Sequence, residues 1–150
     1  MEEKFTIYDL LKATKRVDKF GELAVLIQFI NKGFNVEWHG SKHPFDILAD
    51  KLEIEVKSCN YDNKWAKKDN LLGGWDRINP EKFQYLVCVS FNGNFNDVRY
   101  FIFSKEEAKS FPNVAWKKSP GLKNLTLRRG DGESEHFVKS SENRWDKIKK

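Results

Sequence analysis

No stretch of the sequence reaches the roughly 18 uncharged apolar residues that a membrane-spanning helix needs. Its opening, MEEKFTIYDLLKATKRVDKF, has no apolar core of the kind a secretory leader carries before charges resume. The expectation is an intracellular chain, neither exported nor anchored in a membrane. Cysteine is scarce. Cys59 and Cys88 form no CxxC pattern, and with His136 they offer no zinc-ligand spacing. Two free thiols buried on strands fit a reducing compartment better than a disulfide does. His39 and His43 flank a loop and lack further ligands at workable spacing, so they read as loop or phosphate-contact residues. No internal repeat, low-complexity segment, zinc finger or recognition helix is visible, which removes the common devices for base-specific readout.

What is present is aromatic and charged. The 150 residues are about the size of one ordinary domain, and one domain spanning 1–150 is the expectation. Twelve Phe and five Trp, with 39% hydrophobic residues overall, supply the core that a disordered chain lacks. The net charge of +5 is unevenly placed: residues 1–104 hold fifteen Lys and Arg against fifteen Asp and Glu, residues 105–150 twelve against seven. The basic excess therefore lies in the last third. Clustered Lys and Arg gain by displacing counterions from phosphates, so a polyanionic partner is plausible on charge, beside the plainer reading of a lysine-rich soluble surface.

The spacing of Leu23, Leu26, Ile27 and Ile30 predicts a helix over Asp18 to Lys32 with those residues on its apolar face, ended by Gly33. Alternation predicts a strand over Phe34 to His39, with Phe34, Val36 and Trp38 on one side. The stretch from Asn60 to Lys82, with Gly73-Gly74 and Pro80, reads as a long loop with short helical turns at most. Strands are predicted over Phe83 to Phe91, the first nearly all apolar as in a central strand, and over Val98 to Ser104. Ser104 with Glu107 caps a short helix. A further strand is expected near Asn124 to Arg129, and a short helix at the end, capped by Ser140 or Ser141. The fold class that follows is α/β, a central mixed β-sheet flanked by helices.

Between Pro44 and Cys59 the sequence PFDILADKLEIEVKSC alternates on either side of Asp50-Lys51. A two-residue turn there sets Asp46 opposite Glu55. Phe45, Ile47, Ile54 and Val56 then share one face, and Asp46, Leu48, Glu53 and Glu55 the other. Opposed like charges destabilise a strand pair, and a divalent cation relieves them: Mg²⁺ takes one or two carboxylates, waters and phosphate oxygens. Lys57 emerges on the face of Glu55, about 7 Å further on, within reach of the same phosphate. Taken alone, an acid beside a lysine on a strand is ordinary surface chemistry.

The order of a helix carrying Glu22, a strand, PFD ending in Asp46 and EVK from Glu55 to Lys57 resembles the catalytic core of the PD-(D/E)XK nucleases. That family includes restriction endonucleases, archaeal Holliday junction resolvases, repair nucleases and small homing endonucleases. The resemblance covers residues 18–58, and Phe45 stands between the Pro and the Asp that the family pattern places side by side. It implies a restriction endonuclease-like fold with a catalytic core over about 18–104 and a basic portion over 105–150. It also implies Mg²⁺ or Mn²⁺ held by Asp46, Glu55 and the Val56 carbonyl, with Lys57 serving water and phosphate and Glu22 binding a second metal or a metal-bound water. At a helix start, Glu22 is also favoured electrostatically whatever the chemistry.

The expected function is a metal-dependent endodeoxyribonuclease, a phosphodiester hydrolase acting as a dimer or higher homo-oligomer. The alternative is a non-catalytic DNA-binding or assembly subunit of the same fold. For DNA contact the candidates are Lys64, Lys67, Lys68 and Arg77 in the long loop, then Lys117, Lys118, Arg128 and Arg129, with RWDKIKK (144–150) as a basic or frayed end. Trp65 and Trp75 read as core or interface anchors before base-stacking groups.

Overall fold

The computed structural model describes residues 17–39, 45–62, 70–94, 97–114 and 121–149. In chain order its elements are α1 (Val17–Asn31), β1 (Val36–Trp38), β2 (Ile47–Ala49), β3 (Leu52–Asn60), β4 (Leu71–Ile78), β5 (Tyr85–Phe91), β6 (Val98–Ser104), α2 (Lys105–Lys109), β7 (Lys123–Arg128) and α3 (Gly132–Ser141). Two short 3₁₀ turns, Pro80–Lys82 and Trp145–Lys147, complete the list.

Asp50 and Lys51 both take positive φ, 47° and 71°, as the tight hairpin turn that matches strand twist requires. The register is the expected one, Ala49 opposite Leu52, Leu48 opposite Glu53 and Ile47 opposite Ile54. Asn35 locks the turn: its N–H donates to Asp50 Oδ1 at 2.8 Å, and its carbonyl accepts the Asp50 N–H at 2.8 Å. The hairpin extends into a five-stranded mixed sheet in the order β1-β2-β3-β5-β6, antiparallel except for the central β3-β5 pair. The parallel pair needs a crossover, and β4 lies within it.

Alternation in the central strands divides the core. Val87, Val89 and Phe91 of β5 face α1 together with Ile54 and Val56 of β3. Leu86 and Cys88 face the other way with Cys59, under the two-stranded β4-β7 sheet, α2 and α3. Leu86 to Phe91 are all buried, as a strand covered on both sides must be. Cys59 and Cys88 are both free and buried.

The structure corrects four expectations. The buried face of α1 is Phe20, Ala24, Val25 and Phe29, while Ile30 is 52% exposed and Leu23, Leu26 and Ile27 are half-buried. Small residues set that face: a Cβ on Gly21 would fall inside the Ser58 hydroxyl and 2.9 Å from the Ser58 Cβ, so the helix lies against β3 at this point. The strand after α1 is shortened to β1, with Trp38 exposed and Phe45 stacked edge-on to His39 at the sheet margin. The Gly73-Gly74 segment belongs to β4, because the Trp75 indole folds over Gly73 where a Cβ would collide with it, and its Nε1 donates to the Val89 carbonyl at 3.1 Å. Finally, the last helix is α3, capped by Asp131 through Ser134, with Ser140 and Ser141 at its far end. The segment after it is packed and paired. Trp145 meets Phe29 and Tyr100, and Lys147 Nζ donates to the Ile102 carbonyl at 2.9 Å and to Glu107 Oε2 at 3.0 Å. The Ser104 and Glu107 capping box forms as expected.

Candidate active site

The pairing of β2 with β3 stops at Ile47, and the acid chemistry begins where it stops. In this register Val56 directs its N–H and its carbonyl toward the β2 side, where the next backbone partner is missing. The Asp46 side chain takes that place: Oδ2 accepts the Val56 N–H at 2.8 Å, while the Asp46 backbone carbonyl accepts from His39 N at 2.9 Å. Asp46 is thereby fixed at both ends and 9% exposed.

Glu22 arrives from the other side. The close seating of Gly21 on Ser58 brings the next residue of α1 to the margin of the sheet, where Glu22 is 6% exposed. Its Oε2 accepts from Lys19 Nζ and from Trp38 Nε1, each at 3.2 Å. Glu55 and Lys57 stand two apart on β3, opposite Leu86 and Cys88 of β5, and so share a face. That face is open here because β4 crosses further along, where Gly74 N–H meets Cys59 Sγ at 3.4 Å.

The three carboxyl groups lie close enough to act on one another electrostatically, with Asp46 influencing both Glu22 and Glu55. Burial, then the proximity of Asp46, raises Glu22 to about 7. Burial, then the charge of Glu55, raises Asp46 to about 7, against the opposing bond from Val56 N–H. Burial also raises Glu55, with Asp46, Lys57 and Lys82 pulling it back. Mutual repulsion in a poorly solvated site accounts for the pattern. Among the described residues no group of three or more His, Cys, Asp and Glu side chains is placed so that it could by itself hold a metal ion. Carboxylate and carbonyl oxygens are the hard donors that Mg²⁺ and Mn²⁺ take, one or two carboxylates at a time with water completing the shell.

Glu22, Asp46, Glu55, Val56 and Lys57 are thus brought together. Lys19, Trp38 and Lys82 join them without having been singled out from the sequence. Lys19 was legible as an i,i+3 partner of Glu22, whereas the Trp38 contact depends on how β1 meets α1. The DNA-contact candidates divide. Lys64, Lys67, Lys68, Lys117, Lys118, His43 and Trp65 lie outside the described residues. Arg77 is exposed at a positive φ of 53° in the irregular stretch of β4 before Ile78, next to the turn bearing Lys82. Arg128 and Arg129 are exposed at the opposite end of the β4-β7 sheet, with Arg129 over the Tyr61 ring at 5.5 Å. That end overlies Cys59 and Ser90, four residues and about 13 Å beyond Glu55 along β3. Trp75 is a core anchor, 4% exposed.

The fold is similar to that of a bacterial homing endonuclease, I-Ssp6803I, with a TM-score of 0.59 and 15% sequence identity over 91% of this chain and 93% of that one. No family model matches the sequence, and neither does any curated protein.

Proposed function

We propose that this chain is a metal-dependent endonuclease of the PD-(D/E)XK kind, hydrolysing DNA phosphodiester bonds. The observation that carries the reading is the row Glu22, Asp46, Glu55 built around the interrupted β2-β3 ladder, with Lys57 on the face of Glu55. Similarity in fold to a homing endonuclease supports the same reading. Asp46, Glu55 and the Val56 carbonyl would hold Mg²⁺ or Mn²⁺, and Glu22 a second ion or an ion-bound water. A bound divalent cation supplies charge neutralisation at the phosphate and a water of lowered pKa. The side chains do the rest. Lys57 orients the attacking water and offsets the charge that develops on phosphate oxygens in the transition state. Water adds to phosphorus in line, one P–O ester bond breaks, and the departing oxygen takes a proton.

One such site cuts one strand, so duplex cleavage calls for paired sites in a homo-oligomer, most simply a dimer. The test is incubation of the protein with supercoiled, linear and branched DNA in Mg²⁺ or Mn²⁺, with chelator, Asp46→Asn and Lys57→Met as controls. Wild type should cleave, and each substitution should slow cleavage by about three orders of magnitude, the effect of several kcal/mol at the transition state. Cleavage that survives Asp46→Asn would refute the site. Binding without cleavage by the wild type on every substrate would favour the non-catalytic subunit. Sedimentation in solution measures the oligomer.

A further inference from the structure

Trp38 is a large apolar side chain left 46% exposed on an edge strand, and its indole N–H donates to a buried acid. Its indole N–H and the Lys19 ammonium converge on one atom, Glu22 Oε2, each at 3.2 Å, and the ammonium also lies 5.4 Å from the centre of the indole. Lys19 and Glu22 alone would be an ordinary i,i+3 pair of small effect. Here the acid is 6% exposed, and the donors come from two different elements. The following residue ties the same strand to the next acid, since His39 N–H donates to the Asp46 carbonyl. The end of β1 therefore braces Glu22 through a side chain and Asp46 through the backbone.

We propose that Lys19 and Trp38 are positioning residues that hold Glu22 Oε2 and so present its other oxygen to the cation site. The proposal rests on the metal-dependent reading above and assigns these two residues no contact with the cation. A carboxylate has about four lone-pair positions, and two donors on Oε2 occupy that oxygen's share. Glu22 is then left one oxygen free of these two donors, with its rotation restrained. Partners that orient a ligand in this way typically account for 10- to 100-fold in metal affinity or activity.

The test is Mn²⁺ binding to the protein without DNA, followed by the EPR signal of the free ion, in wild type, Lys19→Met, Trp38→Phe, Glu22→Gln and Asp46→Asn. Trp38→Phe keeps the ring and removes the donor. Lys19→Met keeps the stem and removes the charge. Each should weaken Mn²⁺ binding by about 10- to 100-fold, and Lys19→Arg should restore most of it. Because both act through Glu22, Trp38→Phe should add nothing in a Glu22→Gln background. Circular dichroism checks that the variants are folded, and cleavage should show a fall in kcat with little change in KM for DNA. Unchanged Mn²⁺ affinity in Trp38→Phe and Lys19→Met, with Asp46→Asn abolishing binding, overturns the positioning role alone. A full Trp38→Phe effect in the Glu22→Gln background overturns it too. Mn²⁺ binding indifferent to Asp46→Asn removes the cation reading and the positioning role with it.

Discussion

β3 is one strand with two different halves. From Leu52 to Lys57 it borders a ladder that ends early, carries Glu55 and Lys57 on an open face, and has Asp46 substituting for a backbone partner. From Ser58 to Asn60 it is sealed: Ser58 lies under Gly21 of α1, and Cys59 lies under Gly74 of β4. The parallel register with β5 runs unbroken through both. The difference arises from what covers the strand, since the backbone is continuous. Where α1 and β4 press on the strand, close contacts at Ser58 and Cys59 hold it in place. Where that cover is withheld, three acids stand in poor solvent at the expense of the metal-free protein's stability, as sites tuned for chemistry commonly do.

Two substitutions should therefore have opposite signs. Trp75→Ala removes the largest side chain covering the sealed half and leaves the Val89 carbonyl without its indole donor. It should cost about 3 to 5 kcal/mol in urea denaturation. Asp46→Asn keeps an acceptor for Val56 N–H but deletes the central negative charge of the row. At mildly alkaline pH without metal it should raise stability while cleavage is lost. A destabilisation by Asp46→Asn as large as that by Trp75→Ala would make Asp46 a structural residue and erase the contrast between the halves.

The hairpin was legible in advance because two local signals agree there: strict alternation on each arm and a turn-forming Asp between them. The register of Ile47 with Ile54 follows from those alone. The same alternation placed Glu55 and Lys57 on one face. Tertiary packing decided what was not legible. In α1 the aliphatic residues imply one face, yet the helix turns inward the side that carries Phe20, Ala24, Val25 and Phe29, with Gly21 seated on Ser58. Gly73-Gly74 signals a loop until Trp75 is seen to need the space. α3 has only Phe137 and Val138 as large apolar residues, so periodicity is silent; Asp131 three residues before Ser134 was the available capping signal. The Trp38 contact with Glu22 joins residues sixteen apart on two elements and has no local signature.

The boundary between the halves can be moved by one methyl group. Gly21→Ala forces α1 away from Ser58, an overpacking that should cost about 1 to 3 kcal/mol. Glu22, the next residue, would shift with the helix, so cleavage should fall by more than the loss of folded protein explains. Adding Ser58→Gly removes both the hydroxyl and the Cβ in the way and should recover part of each. Thermal melts and cleavage rates on the two single variants and the double variant separate the effects. Equal loss of activity and of folded fraction would mean that α1 supports the fold without setting the acid.

The smallest expected effect is on pH dependence, and it belongs to the open half alone. Glu22 and Asp46 have folded values of about 7, above those of ordinary carboxylates, so the folded chain holds more protons than the unfolded chain in between. Their contribution to stability is complete below the ordinary carboxylate range and is lost as pH rises through about 7. Without metal, the melting temperature should thus fall by a few degrees between about pH 5 and about pH 8. On the proposed cation site, Mg²⁺ should lift the alkaline limb selectively, because a cation held by deprotonated acids competes with their protons. Asp46→Asn should flatten the slope, since removing the middle of the row relieves both neighbours. Trp75→Ala should lower the whole curve and leave its slope unchanged, because the sealed half has no carboxylate to titrate. A parallel drop in both variants would mean that the acids are not coupled to folding, and the electrostatic account of the row would have to be abandoned.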